Sequence, residues 1–141
     1  MLRLALDANV VLSGLFFDGN EDELLVDGLA GRYRLVLSGE IMEEVEDVVA
    51  RKFRGSPRAP DAIRVLEDVV WASEFHRGPY PGLKRANAVV RDADDAVHVA
   101  FVLAARPDAF VTGDKDLLVL KRMGRTRVIR TKEALAMVER D

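Results

Sequence analysis

The sequence predicts an α/β fold: a parallel sheet whose strands are joined by crossover helices. Three observations carry this. Short apolar runs alternate with longer segments of helical periodicity along the whole chain. Two of those runs end at aspartates: Leu2–Leu6 is followed at once by Asp7, and Ala109–Val111 by Asp114 after Thr112 and Gly113. Parallel strands deliver polar side chains to a crevice at their carboxyl ends. Finally, the segment Ala96–Ala105 is apolar on every side, as a buried helix must be.

Taken in order, Leu2–Leu6 reads as a buried strand, and Asn9 can cap a short helix through about Phe16. Asp22–Ala30 reads as a second helix, stopped by Gly31, and Tyr33–Leu37 as a second strand. Ser38 caps a helix through about Phe53. Pro and Gly are densest between Gly55 and Gly82, the least regular region, within which Pro60–Trp71 forms a helix with proline in its first turn. Ser73–His76 is a short strand. Asp94–Ala105 is a helix ended by Arg106-Pro107. Ala109–Val111 is a strand, Lys115–Lys121 a short helix and Arg127–Arg130 the last strand, after which Thr131 caps a terminal helix. There is no repeat, low-complexity stretch or linker, so 1–141 is expected to be one domain.

Composition narrows the function classes. The 141 residues are 49% hydrophobic and 32% charged, with a mean hydropathy of zero, the profile of an ordinary soluble domain. The absence of cysteine excludes disulfides, a thiolate zinc site and a cysteine nucleophile. Two histidines are too few for a His-rich metal site. No apolar run approaches the ~20 residues of a membrane helix. Met1 to Asp7 is too short and too soon charged for a signal peptide, so a cytoplasmic location is expected, with no membrane partner. With a net charge of −3, contact with nucleic acid must use local basic patches or bound cations.

Most acids sit where helices face water. Asp7, Glu44, Asp95 and Asp114 do not. Asp7 and Asp114 follow strands, and each could serve only as a helix N-cap, but two such placements in one chain favour a crevice. On the Ser38–Phe53 helix the apolar stripe is Ile41, Val45, Val48 and Val49. At about 100° per residue, Glu44 lies about 60° from Ile41 and 40° from Val48, at the border of the stripe. Asp92, Asp94 and Asp95 crowd the start of a buried helix. The positive end of the helix dipole accounts for one or two of them, and a surplus repels itself unless a cation neutralises it.

Asp7 with Asn9, Ser38 with Glu44, Asp95 followed by Ala100, and the run Val111-Thr112-Gly113-Asp114-Lys115-Asp116-Leu117-Leu118 resemble the PIN domain. The likeness is nearest to PIN-family toxin components (VapC-like ribonucleases) of toxin–antitoxin systems. It covers Leu4–Ser13, Val36–Arg54 and Arg91–Leu118, roughly half the chain. It implies a three-layer α/β/α sandwich around a mainly parallel sheet. It also implies that Asp7, Glu44, Asp95 and Asp114 bind Mg²⁺ or Mn²⁺ and cut single-stranded or structured RNA, with Asn9, Thr112 and Asp116 in support. None of the four acids is missing.

The chemistry of the residues agrees. Mg²⁺ takes oxygen ligands and keeps several waters, which suits a loose carboxylate cluster. A metal lowers the pKa of bound water and stabilises phosphoryl charge. No Ser–His or Cys–His set competes as nucleophile. A PIN-like module that binds RNA or a partner without cutting is the alternative reading, and the intact acid set argues against it. A phosphotransfer protein ranks third. A haloacid dehalogenase-like phosphatase needs a second aspartate at position 9, where this chain has Asn9, and a receiver needs a mid-chain strand–aspartate pair that is absent.

His98, one turn beyond Asp94 and Asp95, reads as a hydrogen-bonded core residue in preference to a ligand. Arg51, Lys52 and Arg54 suit a helix C-terminus and could also meet RNA. Lys115 lies within the most specific motif. Lys121–Lys132 holds six basic residues, Arg125 among them, and no acid, a possible phosphate track. Lys84, Arg85 and Arg91 form a further basic set. Leu15-Phe16-Phe17 and Leu24-Leu25-Val26 are either core or an interface for a dimer or an antitoxin. A protein antitoxin and a twofold homodimer are the expected partners.

Overall fold

The computed structural model describes residues 1–141. Its strands are β1 (Arg3–Leu6), β2 (Arg34–Ser38), β3 (Glu74–His76), β4 (Ala109–Val111), β5 (Arg122–Met123) and β6 (Thr126–Ile129). They form one sheet in the order β3-β2-β1-β4-β6-β5. Every pairing is parallel except β5 with β6. The chain winds outward from β1 through β2 to β3, then crosses back to β4 and on to β6. The winding therefore reverses between β1 and β4, and a crevice opens at the carboxyl ends of these two strands.

The helices are α1 (Ala8–Phe16), α2 (Asn20–Leu29), α3 (Gly39–Lys52), α4 (Ala59–Ala72), α5 (Leu83–Val89), α6 (Ala93–Ala105), α7 (Lys115–Leu118) and α8 (Thr131–Arg140). Helices α1, α2 and α4 pack on one another, α8 joins α2, and α5 pairs with α6. Right-handed crossovers put the outgoing and the returning connections on opposite faces, which makes the three-layer sandwich. Covered on both faces, the central strands are apolar without alternation: Leu4–Leu6, Leu35–Leu37 and Ala109–Val111 are all fully buried. They anchor one apolar cluster of 38 residues.

The amino end of the sheet is tied by Arg3. Its guanidinium grips Glu74 of β3 through two bonds, of 3.0 and 2.5 Å, and donates to the carbonyls of Ala105 and Arg106 at the end of α6. The charge-assisted pair reaches across β2, so strand order and the α6 terminus are fixed together.

Several expectations need correction. Asp7, not Asn9, caps α1, its carboxylate accepting from the Ala8 amide. Asn9 lies inside the first turn and is exposed. Arg130, not Thr131, is the N-cap of α8. Helix α7 stops at Leu118, three residues early, because the chain must turn into the β5–β6 hairpin, whose tight turn is Gly124-Arg125 with Gly124 at φ +61°. Helix α5, outside every element expected from sequence, buries Ala86 against α6. Of the two apolar triplets, Leu15, Phe16, Leu24 and Leu25 are core, while Phe17 and Val26 are more than half exposed. Phe16 stacks on Phe53 at 3.8 Å. No helix is long and apolar enough to cross a membrane.

Candidate metal centre

Asp7 is the first residue beyond β1 and is only 6% exposed. Its amide still pairs with the carbonyl of Val111 on β4, so its backbone is held to the neighbouring strand. One carboxylate oxygen accepts from the Ala8 amide at 2.8 Å, and the other accepts from the Thr112 hydroxyl at 2.7 Å. The same Thr112 oxygen accepts from the Asp114 amide at 3.0 Å. Thr112 thus couples the ends of β1 and β4 and sets where Asp114 begins. Asp114 in turn caps α7, accepting from the Asp116 amide.

Helix α3 starts at Ser38, whose hydroxyl accepts from the Ile41 amide, and carries Glu44 across the same end of the sheet. Glu44 meets His98 of α6 at 3.1 Å. The ligand atoms of Asp7, Glu44 and His98 lie within 4.8 Å of one another. Asp92 caps α6, accepting from the amides of Asp94 and Asp95. The capping role is thereby filled by Asp92, and the Asp95 carboxyl is left free to face the other acids.

Burial and mutual charge shift the titration of these groups. Burial, with the neighbouring charges of Asp114, Asp92 and Asp7, pushes the Asp95 carboxyl up to about 6. Burial also raises Asp7, against the opposing pull of the Thr112 hydroxyl and of His98. Burial works against a charged His98 imidazole. The Glu44 hydrogen bond and the charges of Asp7, Glu44 and Asp95 outweigh it, so its pKa lies above the ordinary value. No lysine or arginine pairs with any of the four acids; His98 is their only basic partner. A crowded, under-neutralised set of oxygen donors with one imidazole is a fit host for a divalent cation.

The structure therefore brings Asp7, Glu44, Asp95 and Asp114 to one end of the sheet, and adds His98. The histidine's signal was its position three residues after Asp95, on the same helix face. Thr112 and Asn9 line an adjoining groove with Ser13, Arg130 and Lys132. Asp116 and Lys115 are exposed on the first turn of α7. Arg51 lines a cleft of about 420 Å³ with Glu44, Asp94 and His98. Lys52 and Arg54 are exposed at the far end of α3, Lys52 about 12 Å along the axis from Glu44. Arg125 is not brought to this end at all. It sits in the hairpin turn before β6, at the amino end of the parallel strands, and pairs with Asp108 at 3.2 Å. A groove of about 510 Å³ between α3 and α4 is lined mainly by apolar residues such as Leu66 and Trp71 and lies away from the four acids.

A family model described as "PIN domain" matches residues 3–116. No curated protein sequence matches the chain. Among solved structures, PAE2754 from Pyrobaculum aerophilum superposes with a TM-score of 0.71 at 16% identity, over 99% of this chain and 91% of that one. VapBC2 from Rickettsia felis, bound to a DNA fragment from their promoter, superposes with a TM-score of 0.63 at 12% identity, over 90% of this chain and 97% of the other. At such identities these two likenesses are of fold.

Proposed function

The chain belongs to the PIN-domain family, and on that premise we propose that it is a metal-dependent endoribonuclease, the toxin of a toxin–antitoxin pair, working as a single domain over 1–141. The observation that carries this is the gathering of Asp7, Glu44 and His98 within 4.8 Å of one another, with Asp95 and Asp114 close enough to feel each other's charge and no lysine or arginine paired to any of the four acids. Asp7, Glu44, Asp95 and Asp114 would hold Mg²⁺ or Mn²⁺, Asp7 and Glu44 together with the His98 imidazole offering the most closely gathered donors. Bound there, the ion supplies an activated water and positive charge opposite the scissile phosphodiester.

The chain's own residues do the rest. Thr112 and the Ala8 amide hold both oxygens of Asp7 in fixed directions, so a donor is preorganised before any ligand arrives. The acids repel an incoming phosphodiester until the cation reverses the sign of the field. Of the expected RNA set, Arg51 shares a cleft with Glu44 and His98, and Lys115 starts the helix that Asp114 caps. Asn9 and Thr112 offer polar contacts beside it.

The toxin assignment rests on the motif resemblance and on the fold shared with VapBC2. A protein antitoxin would present a basic side chain to the acid cluster, arginine above all, because its fork matches carboxylates. Self-association as a twofold dimer and a cytoplasmic location complete the reading. The test is direct: purified protein should cleave single-stranded RNA in Mg²⁺ or Mn²⁺ and leave it intact in chelator. Absence of cleavage in both metals would favour the non-cleaving module.

A further inference from the structure

We propose that the groove adjoining the acid cluster is a phosphate subsite, in which Arg130 and Lys132 hold the backbone of the RNA strand one step away from the bond that is cut. The proposal rests on the nuclease reading above.

The basic stretch Lys121–Lys132 is split by the fold. The β5–β6 hairpin sends Arg125 to the amino end of the sheet, where Asp108 already neutralises it. Strand β6 then runs parallel to β4 and delivers Arg130 to the carboxyl end. The Thr112 amide donates to the Ile129 carbonyl at 3.0 Å, and the Thr112 hydroxyl donates to Asp7. Arg130 is therefore tied to the acid cluster through one shared residue. By the spacing of adjacent strands, its backbone is about 10 Å from that of Asp7, within reach of a neighbouring nucleotide.

The groove has about 330 Å³ of space. Arg130 and Lys132 are both exposed, and neither is engaged in an ion pair. Asn9, Ser13 and Asn20 supply neutral hydrogen-bonding groups, and Glu21 is the single acid on the wall. Glu133, next to the pair in sequence, is turned to the Arg130 backbone amide. Gly113 leaves bare backbone between Thr112 and Asp114, with no atom within 4 Å of the position a side chain would take. An extended, anionic polymer fits these features. Its phosphate meets the two cations while its sugar or base edge meets the amides and the serine, and the strand continues over Gly113 to the acids.

The experiment measures binding of a fluorescein-labelled single-stranded RNA by anisotropy, with Ca²⁺ in place of Mg²⁺ or Mn²⁺, alongside cleavage kinetics in Mn²⁺. Arg130→Ala/Lys132→Ala should weaken binding tenfold or more near physiological salt. The slope of log affinity against log salt should fall by about 0.7, the value for the one phosphate that the pair neutralises. KM should rise by a similar factor with kcat within about twofold, since the pair sits beside the reacting centre. Arg130→Lys/Lys132→Arg should retain binding, and Arg125→Ala should match wild type. Unchanged affinity and salt slope in the alanine pair, with wild type binding and cutting normally, would overturn the subsite and leave the nuclease reading standing. Wild type that neither binds nor cuts RNA would overturn the nuclease reading itself.

Discussion

The Thr112 hydroxyl donates to the buried carboxylate of Asp7 at 2.7 Å, joining two residues that are 105 positions apart in sequence and adjacent at the carboxyl ends of β1 and β4. That bond is the hinge of the site, because the same oxygen also receives the Asp114 amide. Thr112→Val keeps the shape and removes both functions. It leaves a buried carboxylate oxygen and an amide without partners, so it should cost about 1–3 kcal/mol of stability by chemical denaturation. Mn²⁺ affinity and RNA cleavage should fall roughly 10–100-fold, the usual effect of losing a group that orients a ligand.

Asp95 sets the pH dependence. Its pKa is raised to about 6 in the folded chain, so between its ordinary value of 3.8 and about 6 the folded state holds a proton that the unfolded state has lost. The metal-free protein gains stability from this group as pH falls through 6, and the gain is complete below the ordinary value. A divalent cation competes with that proton. Saturating Mn²⁺ should therefore raise Tm more at pH 7.5 than at pH 5. In chelator, Asp95→Asn should melt at or above wild type at neutral pH, with the gap closing below pH 4. Because Asp92 supplies the cap, this substitution spares the start of α6.

His98 tests the donor set. Its side chain is 8% exposed, with one ring nitrogen on Glu44 and the other, Nδ1, unpartnered. An imidazole nitrogen suits Mn²⁺ better than Mg²⁺. His98→Gln should weaken Mn²⁺ binding by roughly tenfold and Mg²⁺ binding less, read by Mn²⁺ electron paramagnetic resonance and Mg²⁺ competition. Equal losses for both ions would assign His98 only the task of positioning Glu44.

At the opposite end, Arg3→Met keeps the aliphatic stem and removes four hydrogen bonds to Glu74, Ala105 and Arg106. The pair is about 30% exposed, so solvent screening limits the loss to about 1–2 kcal/mol. The Arg3 bond holds Glu74 below the ordinary carboxylate range. That stabilisation is present above Glu74's ordinary value of 4.5 and is lost as pH falls below it. The denaturation midpoints of wild type and Arg3→Met should converge in acid, while metal binding stays unchanged.

Much of the frame was legible because its signals are local. Buried parallel strands read as unbroken apolar runs, and Ser38 announces α3 by its cap. The α3 stripe places Glu44 at its border, where the structure has it facing His98. What escaped depends on tertiary context. Helix α5 is a single short amphipathic turn pair with one buried residue, Ala86, and a period that weak needs α6 beside it to be seen. The hairpin at Gly124 turns on one positive φ; in sequence Arg125 and Arg130 read as one basic stretch, and the hairpin puts them at opposite ends of the sheet. The Glu44–His98 contact spans 54 residues, and no local pattern encodes it.

In the proposed nuclease, carboxylates at the β1–β4 switch point hold the ion that cuts RNA. The most direct test compares single-stranded RNA cleavage in Mn²⁺ by wild type and by an Asp7→Asn, Asp114→Asn variant whose fold is verified by circular dichroism. Each change keeps side-chain shape and a capping oxygen and removes one ligand charge. The variant should stay folded, bind Mn²⁺ at least 100-fold more weakly and lose nearly all cleavage. A folded double variant that cleaves RNA at the wild-type rate would contradict this role for the carboxylates.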